Sequence, residues 1–137
     1  MALECTLMIE THQPIPMTAI NANAIPKGSV CMLSDPYTAE ITTGDIDSCA
    51  GIAAKEKIAS DGTTKLAVYR GGIFKGYAGA AGVTAGMAIV TDTATGAANE
   101  LVVAGLNAEH IVGTALETAT DGQTFLFELN PFGIQLA

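Results

Sequence analysis

Hydrophobic positions along this chain come in short runs separated by turn residues, and the runs fall into two similar series. Pro26-Lys27-Gly28-Ser29-Val30-Cys31-Met32-Leu33-Ser34-Asp35 is echoed by Thr84-Ala85-Gly86-Met87-Ala88-Ile89-Val90-Thr91-Asp92. Gly51-Ile52-Ala53-Ala54-Lys55-Glu56 is echoed by Gly113-Thr114-Ala115-Leu116-Glu117, and Ser60-Asp61-Gly62-Thr63-Thr64-Lys65-Leu66 by Thr120-Asp121-Gly122-Gln123-Thr124-Phe125-Leu126. Short apolar runs bounded by Gly, Pro, Asp and Ser predict strands. The predicted strands cover 30–33, 48–54, 64–70, 87–91, 101–104, 110–116 and 124–129. Gly71-Gly72, between 64–70 and Ile73-Phe74-Lys75, predicts a hairpin whose turn positions take positive φ. Leu101, Val102 and Leu106 have near-helical spacing, but Gly105 and the β-branched Val102 and Val103 oppose a helix.

The predicted fold class is mainly β: a small β-barrel or β-sandwich with an internal two-fold repeat and an extended N-terminal arm. The arm covers residues 1–25, and a single β domain covers 26–137 with repeat units at about 26–75 and 83–130. Thr11-His12-Gln13-Pro14-Ile15-Pro16-Met17 cannot be regular helix, because two prolines remove donors and fix φ. Fully extended, the arm spans at most ~80 Å. Its apolar residues Ile15, Met17, Ile20 and Ile25 are the candidate contacts to a neighbouring subunit or partner. The apolar tail supplies Phe132, Ile134 and Leu136 as candidates for packing between subunits.

Composition narrows the function. The chain has 137 residues, enough for one domain with a core. Apolar residues make up 49% and aromatics 5%, with no Trp, so the core is mainly aliphatic. Net charge is −8, with all six basic residues between Lys27 and Lys75. The stretch from Gly76 onward has six acids and no Lys or Arg, so it repels nucleic acid and anionic membrane. The uncharged stretch from Gly76 to Thr91 is too short and too glycine-rich for a membrane span. Cys5, Cys31 and Cys49 form no disulfide framework, and Cys31 and Cys49, in apolar strand-like segments, read as buried thiols of a protein folded in a reducing cytoplasm. The N-terminus lacks the basic region of a signal peptide.

The chain carries few residue patterns that support chemistry. Gly76, Gly79 and Gly82 lack the Lys and Ser of a phosphate loop. Asp45 and Asp47 are too few oxygen ligands for calcium, and His12 and His110 have no metal-ligand neighbours in sequence. Arg70 and Lys75 read as edge charges that block aggregation or meet an acidic partner. No catalytic, cofactor or metal residue is assigned.

The series Pro26-Lys27-Gly28-Ser29-Val30, Cys49-Ala50-Gly51-Ile52-Ala53 and Asp61 to Tyr69 with Gly71-Gly72-Ile73-Phe74 resembles the head-decoration proteins of tailed phages. So does the stretch from Val83-Thr84-Ala85-Gly86 through Ile111 to Glu117. These are capsid cement proteins, sometimes labelled recombinase-like. The resemblance covers about residues 26–129 and rests on turn glycines and strand patterns. It implies a compact β-barrel-like homotrimer, made in the host cytoplasm and placed on the outer surface of the virion. There it bridges neighbouring major capsid proteins, commonly with help from an N-terminal arm. The recombinase label gains nothing from an acidic chain without a phosphate loop. Two other readings stay open. A fibre or adhesin module that recognises glycans would expose aromatics, which are scarce here. A small trimeric enzyme would assemble its site across an interface from residues such as Cys49, His110 and Asp121.

Overall fold

The computed structural model describes residues 4–42, 48–91, 99–104 and 111–132, the last of these, Phe132, by its backbone alone. The strands are β1 (Thr6–Ile9), β2 (Ile15–Ala19), β3 (Val30–Asp35), β4 (Thr38–Ile41), β5 (Cys49–Ala53) and β6 (Lys65–Tyr69) in the first half. They continue as β7 (Gly72–Ala78), β8 (Ala88–Thr91), β9 (Glu100–Val103), β10 (Ile111–Ala115) and β11 (Thr124–Phe132). There is no helix among the described residues. The mainly β prediction therefore holds, in the form of two small barrels.

Strands β2-β4-β3-β5-β6 close into one barrel. Strands β7, β11, β10, β8 and β9 form the second ring, closed where β9 returns to β7. Strand β1 lies outside both rings, on the N-terminal half of β7. The rings are wired alike. β2 runs antiparallel to β6 and parallel to β4. β7 runs antiparallel to β11 and parallel to β9. Isolated bridges recur at Ile25–Lys57 and Val83–Ala119. The Gly28 amide donates to the Ala53 carbonyl as Gly86 donates to Ala115. Even the left-handed residue before the third strand of each ring recurs, as Tyr37 (φ 55°) before β4 and Asn99 (φ 79°) before β9.

Three sequence expectations change. First, Gly71-Gly72 makes no hairpin: β6 and β7 do not pair, and the glycines carry the chain from one barrel to the other. Gly72 keeps its positive φ of 127° for that crossing. Second, the first unit begins at β2, inside the predicted arm, and Ile73-Phe74-Lys75 belongs to the second unit. Third, the echo that aligned Leu66 with Leu126 is one residue out. Ala53 pairs with Val68, and its counterpart Ala115 pairs with Phe127. Leu66 therefore corresponds to Phe125 and Val68 to Phe127. A slip of one residue exchanges the faces of a strand, and the burial of Leu66, Val68, Phe125 and Phe127 follows the structural register.

The cores differ by compensation. In the first barrel Met17 on β2 faces Leu66 on β6, and Ile15 faces Val68. At the equivalent places the second barrel puts Gly76 opposite Phe125, and Phe74 opposite Phe127. A Cβ on Gly76 would stand 2.8 Å from the Phe127 ring, so the glycine makes room for the aromatics. Phe74 and Phe127 stack at 6.1 Å, and Phe125 lies 5.6 Å from Phe127. Large opposite small keeps packing at interior density.

Strand β5 is buried along its whole length. Its Cys49 and Ile52, together with Val30 of β3, join the core cluster of the second barrel. The Asn99 side chain accepts a 2.8 Å bond from the Val30 amide, a second tie between the barrels.

Candidate interaction surface

The N-terminal segment is where described apolar side chains meet solvent along an unpaired strand edge. On β1, Thr6 opposes Lys75, Leu7 opposes Phe74 and Ile9 opposes Ile73, with a register shift at Met8. Leu7 points inward and packs on the second core. Met8 and Ile9 are exposed, at 52% and 58%. A bulge on an edge strand twists it and disturbs further pairing. Between β1 and the first barrel lies a cleft of about 360 Å³, lined by Cys5, Leu7, Ile52, Ala53, Tyr69 and Phe74 with Glu4 and Lys27. Past β1 the chain is fastened at two points. The Tyr69 hydroxyl donates to Glu10 at 3.2 Å, and the His12 ring sits where a Cβ on Gly71 would be. Burial first, and then the Glu10 carboxylate, push the Tyr69 phenol upward.

The predicted contact residues are scattered. Met17 and Ile25 are buried in the first barrel, at 2% and 1%, and Ile15 packs half-buried on the same cluster. Those side chains already have a partner within their own chain, because β2 is a barrel strand and Ile25 bridges to Lys57. Ile20 alone is exposed, at the end of β2. The Phe132 side chain, Ile134 and Leu136 lie outside the described residues, as do Asp45, Asp47 and His110. Met8, Ile9 and the exposed Tyr37 escaped the sequence reading. The Thr-Leu-Met-Ile run at 6–9 was the available strand signal, hidden in a segment read as an arm.

The thiols are inert. Burial pushes Cys5, Cys31 and Cys49 up to about 12, leaving each protonated at neutral pH. Arg70 donates to the Ala50 carbonyl at 3.0 Å and so fixes β5. Lys75 stands exposed on the outer face of β7. Lys57 is a buried cation. Its ammonium donates to the Asn21 and Ile58 carbonyls at 2.9 and 3.1 Å, and to Asp61 at 3.4 Å. It closes one end of the first barrel, where the second barrel has Ala119. No group of three or more His, Cys, Asp or Glu side chains among the described residues could hold a metal ion.

The arrangement is thus two closed barrels and a strap, with no gathered reactive groups among the described residues. A family model described as "Phage cement protein" matches residues 9–129. The chain belongs to that family. A phage cement protein is a structural component of the virion, associated with its capsid. The match begins within β1 and runs almost to the end of β11, so both barrels are family features. Among solved structures, this cement protein is similar to "The crystal structure of head fiber gp8.5 N base in bacteriophage phi29". The two share 14% identity at a TM-score of 0.55, over 90% of this chain and 95% of that one. At that identity the likeness is one of fold. No curated protein matches.

Proposed function

We propose that this protein decorates the outer surface of a phage capsid as a homotrimer. It bridges neighbouring major capsid proteins and does no chemistry. The match to phage cement proteins over residues 9–129 carries the reading. The rigid double barrel supports it. Two closed sheets with dense cores resist deformation, which suits a clamp against pressure from packaged genome. The acidic surface has little attraction for the nucleic acid inside. A trimer engages several capsid sites at once, so weak single contacts add up to tight holding.

The test is mixing the purified protein with expanded, undecorated capsids of its own virus. Binding should saturate at a copy number set by the lattice symmetry and raise the capsid's thermal tolerance. Absence of binding sinks the reading. Removing residues 1–22 is unsuitable as a control, because it takes away β2 and opens the first barrel.

A further inference from the structure

Strand β1 is the one described strand that neither barrel needs. Lifting it leaves every barrel ladder intact. It is held along one edge, on β7, and its register is broken at Met8. The Cys5 amide adds a bond to the Gly28 carbonyl at 2.8 Å. The cleft of about 360 Å³ shows that the space between β1 and the first barrel is incompletely filled. Residues 10–13, which lead from β1 to β2, are exposed. Their described tethers are two exposed side-chain contacts, Tyr69 to Glu10 and His12 over Gly71.

We propose that β1 is an exchangeable strap: in the assembled protein it pairs with β7 of a second copy of this chain. The inference rests on the reading that the protein self-assembles. The seat has a known occupant, because the chain's own β1 shows what fits it. Leu7 fills the apolar position beside Phe74, and Thr6 lies opposite Lys75. An exchanged strap remakes those contacts, so exchange costs little beyond rearrangement of the connecting residues. Five connecting residues reach up to about 18 Å when extended, and Pro14 favours an extended link. Exchange also places Met8 and Ile9 at the seam between two copies, where their exposed apolar surface gains cover. Head-to-tail exchange closes a ring, as a trimer requires.

Thr6 and Lys75 are opposed in register, which suits a cross-strand disulfide. Cys31 and Cys49 are buried within barrel strands, and Cys5, which travels with the strap, is replaced by serine in every variant so that it does not compete. The full-length T6C/K75C variant, oxidised and run without reductant, is expected to give mainly covalent multimers that reductant collapses to monomer. A product that stays monomeric while both introduced thiols disappear overturns exchange. If the double variant fails to fold, T6C and K75C chains are co-expressed as single variants. A T6C–K75C heterodimer supports exchange, and its absence in the oxidised oligomer overturns it. Light scattering separates the two failures. An oligomer cross-linked only within chains defeats the strap and keeps the assembly. A monomer at every concentration defeats the assembly and the strap with it, and capsid binding is read independently of both.

Discussion

Gly51 and Gly113 occupy the same place in the two barrels, and both lie hard against a backbone carbonyl of the next strand. A Cβ on Gly51 would stand 2.0 Å from the Tyr69 oxygen and 2.9 Å from Val68 Cγ1. On Gly113 it would stand 2.0 Å from the Glu128 oxygen. The two differ in backbone: Gly51 has a φ of 135°, a conformation that side chains rarely adopt, and Gly113 has no such strain. Gly62 is the complementary control, with φ at 88° and nothing within 4 Å. Three alanine variants therefore separate clash from strain. Gly62→Ala carries strain alone, about 1 kcal/mol after the gain from restricting the unfolded chain. Gly113→Ala carries overpacking alone, about 1–3 kcal/mol. Gly51→Ala carries both, about 2–4 kcal/mol. At roughly 4 °C per kcal/mol for a chain of this size, Gly51→Ala lowers Tm by about 8–16 °C. Urea titration followed by circular dichroism gives the three values. The reasoning is refuted if Gly51→Ala costs no more than Gly62→Ala, since the carbonyl contact would then be irrelevant.

Lys57→Met leaves the Asn21 and Ile58 carbonyls without their charged donor and is expected to cost about 2–3 kcal/mol; a urea midpoint unchanged from wild type would contradict it. Asn99→Ala removes the acceptor of the buried Val30 amide and is expected to cost about 2 kcal/mol. Hydrogen exchange should show Val30 losing protection, and retention of that protection would dismiss the tie between barrels. Asp61 is held down to about 2, chiefly by the Thr63 hydroxyl and amide and less by Lys57. Its folded value is depressed, so its contribution is present above the ordinary value of 3.8 and is lost as pH falls from there to about 2. Asp61→Asn should flatten that part of the acid unfolding curve, and an unchanged slope would count against the assignment.

The second unit was legible because its strands are strongly apolar and framed by glycine and Asp-Gly turns. β8, β9, β10 and β11 fall close to the predicted segments. β4 escaped because the turn before it uses Tyr37 in a left-handed conformation, where a sequence reading looks for glycine or asparagine. β2 escaped because of Pro16. The proline is tolerated because β4 pairs only with Thr18 and Ala19, so on that side Pro16 behaves as an edge residue. The apolar residues of 15–25 were read as contacts to a neighbour, and of these Ile20 is exposed. A sequence cannot tell burial in its own barrel from burial against a neighbour, and Met17 and Ile25 take the first course. The Gly-Gly pair signalled a sharp change of direction, and only the long-range pairing of β7 with β11 makes it a crossing between barrels.

The buried wall formed by β5 has a consequence for how the molecule melts. Cys49 and Ile52 of the first barrel's sheet complete the second barrel's core, so the second half has no finished interior without the first. The halves are then one cooperative unit, and calorimetry should record a single transition whose van't Hoff and calorimetric enthalpies agree. A half-chain made separately would expose the apolar face that its sister normally covers. The second unit thus leans on the first for its interior, an asymmetry that the matching wiring of the two rings conceals.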